Sequence, residues 1–451
     1  MKENNNPSYK SKKSYGLATT IAMIVGIVIG SGIYFRADDV LLYTEGNLLL
    51  GILVLALGAI CIIFGSLTLS KLSYHCSSSG GIVAYFEEFL DKKIAAGFGW
   101  FQLFAYFPPI TIIIGWVAVR YMLMLFQIEL SLSIQILFGL LLALFLTFIN
   151  TVNKTLGGYL QNIATAIKLL PLLLIAIAGI FFTSPLSSEQ IGVATFASHF
   201  SKGVWLSALV PLAYSYDGWT IALNIAPEVR NPKKNMTTAL VLSPIIILFI
   251  YLCYFYGISS ILTPEKITTL GDEAVFVAGL SLFGERMGNI FLIAIIISVL
   301  GVLNGITLAS IRFPQAMAEK GMLPDYGISK ISSRFNVSIK SALLYCSTLI
   351  IWAIIHYLVM TYDIFNGHDV SEISIVYNYL CYILLYITVF RLDRVIDGEK
   401  SHRILAGIAI LGSLMIFLGS LFAQPVTVIL FIAMCSIISL AGIFYYSKNE
   451  N

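Results

Sequence analysis

Two short stretches and one isolated charge hold the residues of this 451-residue chain that could grip a charged ligand inside an apolar environment. The first is Val25-Gly26-Ile27-Val28-Ile29-Gly30-Ser31-Gly32-Ile33, inside a long apolar segment. Glycines flanking Ser31 carry more backbone entropy than a helix interior tolerates, so the helix is expected to break across Gly30, Ser31 and Gly32. Amides freed where the second half of such a helix begins carry partial positive charge and can seat a carboxylate. Lipid cannot satisfy them, so they must face protein or a water-filled cavity. Small residues at this spacing equally let a neighbouring helix approach closely, and this stretch alone leaves both readings open.

The second stretch is Tyr214-Ser215-Tyr216-Asp217-Gly218-Trp219, preceded by Pro211. A proline that removes a donor, followed by Asp and Gly that favour local hydrogen bonds, predicts a second break within residues 205–226. Asp217 could pair with a ligand amine. Its preferred reading is a cap on the second half of its own helix, because a free carboxylate would select cations and no second acid stands near. Tyr214 could cover a bound ligand, whereas Tyr216 reads better as a helix contact. The isolated charge is Lys168, in the apolar run Ala164 to Pro171. Burying it costs at least ~2.5 kcal/mol, so it needs a reason. The functional one is that its ammonium lies against carbonyls freed by the first break and pins that half-helix as a bound cation would. The alternative is snorkelling to an interface about eleven residues, or ~16 Å, away. Tyr251, Ser298 and Asn304 are further polar handles at membrane depth, where such groups commonly bridge helices. Tyr251 is carried as a ligand contact and Ser298 as a coupling residue; His356 is assigned no role.

The elements that position these residues follow from composition. With 58% hydrophobic and only 11% charged residues, against ~25% charged in soluble domains, the chain reads as an all-α polytopic membrane protein. At ~20 apolar residues per span, twelve transmembrane helices are predicted: 17 to 42, 48 to 70, 95 to 127, 131 to 150, 157 to 183, 201 to 225, 238 to 262, 288 to 313, 338 to 360, 371 to 390, 402 to 422 and 424 to 447. Residues 273–283 form a shorter apolar run, read as re-entrant or interfacial. If the N-terminus is cytoplasmic, the outside receives only Arg36, Arg120, Lys202, Lys266 and Arg286 of the 27 basic residues. That bias places both termini in the cytoplasm of a cell that carries the protein in its inner (plasma) membrane. Residues 1–14 read as an uncleaved tail, since no small-residue cleavage site follows.

A net charge of +3 scattered over short loops gives no nucleic-acid surface. The six cysteines form no C-x-x-C or metal cluster. Without a nucleophile, P-loop or metal motif the chain is not read as an enzyme, and no cofactor or metal is expected.

Interrupted first and sixth spans predict two five-helix halves, 15–183 and 201–391, followed by two helices over 402–447 and a cytoplasmic end at 448–451. This is the pattern of inverted-repeat transporters, with a ligand site between the breaks. Gly26-x-x-x-Gly30-Ser31-Gly32-Ile33, Ser79-Gly80-Gly81 with Tyr85, Gln161-Asn162 with Thr165 and Lys168, Tyr216-Asp217-Gly218-Trp219, Pro227-Glu228 with Asn231-Pro232-Lys233-Lys234-Asn235, Asn304-Gly305 and Glu319-Lys320-Gly321-Met322-Leu323-Pro324 follow one another along the chain. Together they resemble the L-type amino-acid transporter family of the amino-acid, polyamine and organocation superfamily, in particular bacterial serine/threonine and alanine/serine/cysteine exchangers.

The resemblance implies a five-plus-five inverted repeat with discontinuous helices 1 and 6 and two added helices. It also implies sodium-independent exchange of small to medium neutral L-amino acids by alternating access. A lysine matching Lys168 would stand where sodium-coupled relatives hold an ion. The substrate carboxylate would meet the amides of Gly30, Ser31 and Gly32, and the amine the carbonyls near Val28 and Tyr214. Tyr214, Ser215 and the region of Asp217 would meet the side chain. The chain departs from the pattern at Tyr214, where Phe or Trp is usual, and at Tyr254, where Asn is more usual. The loop Phe126 to Ser133 has no cysteine, so a disulfide-linked partner subunit is not expected and the chain is read as a monomer. Proton-coupled symport, with Lys168 losing and regaining a proton, is the alternative, and a non-transporting amino-acid sensor is a more distant one.

Overall fold

A computed structural model describes residues 15–30, 32–34, 36–73, 81–153, 164, 167–183, 186–220, 229–335, 337–365, 369–392 and 400–449. Ser31, Ser79, Gly80, Gln161, Asn162, Thr165, Pro227, Glu228 and the 1–14 tail, all used in the sequence reading, lie outside the described residues. Among those described the chain is helical, with one isolated bridge between Tyr15 and Val229 and no strand.

Eight helical stretches are long and apolar enough to cross a membrane, and four shorter apolar helices lie at Leu17–Gly26, Leu169–Phe181, Val204–Ser215 and Ser374–Phe390. Three of the short ones are the segments where glycine pairs, Lys168 or Pro211 disturb an otherwise apolar sequence.

The longest stretch, Pro264–Glu319, is not one rod. Gly284 has φ 73° and ψ 174°, a conformation open to glycine alone, and the chain reverses there. Gly279 then faces Phe291 and Gly288 faces Leu280, so residues 274–283 form a separate short helix folded onto the start of the next.

The bundle closes through small residues. A Cβ on Gly179 would lie 2.3 Å from the Gly257 Cα, and one on Gly139 would lie 2.7 Å from the Trp116 nitrogen. Without a hydrophobic drive between helices in lipid, this backbone proximity supplies the packing.

Loops that sequence parity assigns to one side meet one another. Arg120 pairs with Asp272, Lys202 with Glu45, and Asn47 donates to the Gly192 carbonyl at 2.8 Å. The Lys202 ammonium beside it holds the Glu45 carboxyl below the usual carboxylate range. At the opposite end Lys320 pairs with Glu87, Trp100 donates to the Met322 carbonyl and the Arg230 amide donates to the Tyr15 carbonyl.

Candidate functional site

The Leu17–Val28 helix stops at Ile29, whose backbone is extended. The chain bends at Gly30 and turns through residues 32–34 before helix resumes at Ala37–Tyr43. In the sixth segment, a 3-10 stretch Val204–Ala208 passes into the Leu209–Ser215 helix, which ends at Tyr216. Pro211 is the third residue of that α segment, near its start, where a missing N–H is tolerated. Gly218 follows with φ 95°.

The two interruptions face each other. A Cβ on Gly32 would lie 2.8 Å from the Ser215 Cα and 3.3 Å from Tyr214 Cδ1, so only glycine lets the backbones approach this closely. The unwound first segment is also tied on two other sides. Tyr34 donates to the Lys168 carbonyl at 2.7 Å. Arg36, 6% exposed, pairs with Asp369 at 2.6 Å, Glu372 at 2.7 Å and Asp39 at 3.0 Å.

A cavity of about 130 Å³ opens beside the paired breaks. The first segment contributes Gly26, Val28, Gly30 and Gly32; the sixth contributes Tyr214, Asp217 and Gly218. Lys168 reaches it from the fifth, and Val302, Gly305, Ile306 and Ala309 wall it from the eighth. Lys168 is 3% exposed, and its ammonium makes no hydrogen bond or ion pair with the described residues. It therefore shares the cavity with the first break but is not hydrogen-bonded to the described carbonyls there, those of Ile29, Gly30 and Gly32.

Two residues carried as ligand contacts, Ser215 and Tyr251, do not line this cavity. The Ser215 hydroxyl donates to the Pro211 carbonyl at 3.0 Å, a bond back into its own helix that takes it out of the cavity. Tyr251 donates to the Ser215 carbonyl at 2.7 Å, so it satisfies an acceptor at the helix end and does not line the cavity. Ser298 is fully buried and also stands outside the lining. Tyr251 thus acts on the site through the Ser215 backbone. Removing its hydroxyl in Tyr251→Phe leaves a buried carbonyl unsatisfied, a loss of about 1–3 kcal/mol. The expected result is a clear drop in melting temperature and slower exchange, with the order of preference among competing amino acids retained, read by thermal unfolding and uptake competition.

Sequence reasoning placed the third span at 95 to 127, where the helix Lys92–Phe126 lies, but gave it no part in the site. Tyr106, Phe107, Ile110 and Ile114 line the cavity, and Tyr106 donates a hydrogen bond to Asp217. Asp217 therefore has an interhelical partner, and the expected cap is not made to the Trp219 or Thr220 amides; the rest of the second half-helix, residues 221–228, lies outside the described residues. The available signal was Pro108-Pro109 in mid-span. Pro108 cannot donate to the Phe104 carbonyl one turn earlier, and Trp352 does so instead at 2.6 Å.

A second space, of about 390 Å³, lies at the end that carries Arg120 and Asp272, lined also by Arg36, Asp38 and Asp369. Tyr214 lines the first space and Arg36 the second, and the guanidinium sits 4.9 Å from the Tyr214 ring centroid, a cation–π stack. Tyr214 and Arg36, with the three acids paired to it, thus form the partition between the two spaces.

Chemically, this is a site of backbone polar groups, one ammonium and one carboxyl around a small void, suited to holding a zwitterion. Comparisons with known proteins agree with that reading. Residues 15–449 match the family model described as amino acid permease. The serine/threonine exchanger SteT of Bacillus subtilis is 30% identical over 86% of this chain and 85% of its own length. The mouse Asc-type amino acid transporter 1 is 26% identical over 82% of this chain and 68% of its own. The human b(0,+)-type amino acid transporter 1 is 29% identical over 61% of this chain, which spans 56% of that relative. A match that runs almost end to end, over an all-helical membrane bundle with two facing helix breaks, shows that this chain belongs to the amino acid permease family.

Proposed function

We propose that this protein exchanges small to medium neutral L-amino acids across the membrane by alternating access, without sodium. The observation that carries the reading is the contact between Gly32 and Ser215, which brings the two interrupted segments together beside the cavity. The amides at Gly30, Ser31 and Gly32 receive the substrate carboxylate, and carbonyls near Val28 and Tyr214 receive the amine. Lys168 supplies the fixed positive charge that a bound sodium would otherwise provide. The names of the relatives support amino acids as the cargo and exchange as the mode.

The arrangement proposed around the site is twelve spans in a five-plus-five inverted repeat with two added helices. Both termini lie in the cytoplasm, and the protein works as a monomer in the plasma membrane without a disulfide-linked subunit. The Tyr214–Arg36 partition then closes the outer path while the cavity is reached from the cytoplasmic side.

Purified protein in vesicles preloaded with serine or alanine should take up labelled amino acid, and empty vesicles should not. Equal uptake into both overturns exchange. An imposed pH gradient that drives uptake into empty vesicles establishes the proton-coupled alternative.

A further inference from the structure

The third membrane segment leaves the α-helical ladder over Gln102–Tyr106, a five-residue π-helical stretch. Such stretches cluster at functional sites because they turn side chains off the regular helical face. Here Pro108 and Pro109 follow immediately, and the stretch aims two polar side chains, four residues apart, at the sixth and tenth segments. Gln102 donates to Asn378 at 2.8 Å, Asn378 to the Tyr382 hydroxyl at 2.8 Å, and Tyr382 to Thr220 at 3.2 Å. Tyr106 donates to Asp217, three residues before Thr220. The π stretch is therefore anchored in the sixth-segment break at Asp217 and, through Asn378 and Tyr382, just beyond it at Thr220, and the Tyr106 ring packs against Phe101 and Phe107 at centroid distances of 6.0 and 5.3 Å.

Among the described residues Asp217 is the only carboxylate lining the cavity. One of its oxygens accepts from Tyr106, and the other is buried with no side-chain partner. We propose that Tyr106 is a specificity-determining residue: by donating to Asp217 it masks the one acid that could pair with a basic side chain, and so holds the site to neutral amino acids. The phenol occupies one carboxylate oxygen, so a lysine or arginine side chain must compete with it for that oxygen, whereas a neutral side chain needs no part of the carboxylate. A serine or threonine hydroxyl can still donate to the phenol oxygen. The inference rests on the exchanger reading above.

The test is competition between serine and lysine in vesicles preloaded with serine, scored as the ratio of their half-inhibitory concentrations so that absolute rate does not enter. Wild-type protein should disfavour lysine strongly. Tyr106→Phe should shift the ratio toward lysine by roughly tenfold, the scale of one hydrogen bond to a charged group, and adding Asp217→Asn should remove the shift. If Tyr106→Phe slows flux too far to measure, stabilisation of the detergent-purified variant by lysine against serine gives the same ratio. An unchanged ratio in Tyr106→Phe, a shift that survives Asp217→Asn, or wild-type protein that takes lysine as well as serine each overturns the inference. Wild-type protein that responds to no amino acid overturns the exchanger reading instead, and with it this one.

Discussion

Lys168→Met is expected to cut exchange at least about tenfold while leaving the melting temperature unchanged or raised. The two readouts move apart because Lys168 is buried and its ammonium has no partner among the described residues. An uncompensated charge in a low-dielectric interior is a cost to the fold, and on membrane-insertion scales that cost is about 2.5 kcal/mol or more. Methionine keeps the length and apolar stem of the side chain, so packing against the cavity wall is retained and the charge alone is removed. If the charge serves the transport cycle by balancing the substrate carboxylate or steadying the first break, its loss should cost transport on the same scale, where each 1.4 kcal/mol is tenfold. Uptake into preloaded vesicles and thermal unfolding in detergent measure the two quantities. A parallel fall in both would make Lys168 a packing residue, and unaltered uptake would remove it from the mechanism.

Lys168 was legible because a lone charge in an apolar helix stands out against its own neighbours, and the breaks were legible for the same local reason. Gly30, Gly32 and Gly218 oppose helix in any context. What could not be read were partners set by tertiary contact. Arg36 and Glu372 are 336 residues apart and Tyr106 and Asp217 are 111 apart, and hydrophobic periodicity within one segment carries no information about which neighbour it meets.

Ser215 and Tyr251 illustrate a second limit. Both are polar and close to the break, which is what the sequence offers. Whether such a group faces the void is decided by the carbonyls around it: the Ser215 hydroxyl bonds back to Pro211 within its own helix, and Tyr251 takes the Ser215 carbonyl at the helix end. Pro108-Pro109 was the overlooked local sign. Consecutive residues without an N–H free carbonyls one turn back and loosen the ladder where the π stretch forms, which is how the third segment brings Tyr106 to the cavity.

The sharpest contrast within the site is between Gly30 and Gly32, and Gly32→Ala is expected to abolish exchange. Its new methyl would meet the Ser215 Cα at 2.8 Å, and a backbone atom has no rotamer by which to yield. The helix breaks must then separate, at an overpacking cost of about 1–3 kcal/mol, and the carboxylate and amine seats no longer match one ligand. At Gly30 the added methyl would instead meet the Val302 Cγ2 at 2.5 Å, with the Val302 Cβ at 3.6 Å, so the obstacle is the end of one side chain. Gly30→Ala should therefore impair exchange and recover in part when Val302→Ala is added. Gly32→Ala should not recover with Tyr214→Leu, because trimming that ring leaves the Ser215 backbone where it is. Vesicle uptake with matched protein insertion measures all four variants. Near-normal exchange by Gly32→Ala would mean that the two breaks are not held in contact during transport, and the shared ligand site would lose its physical basis.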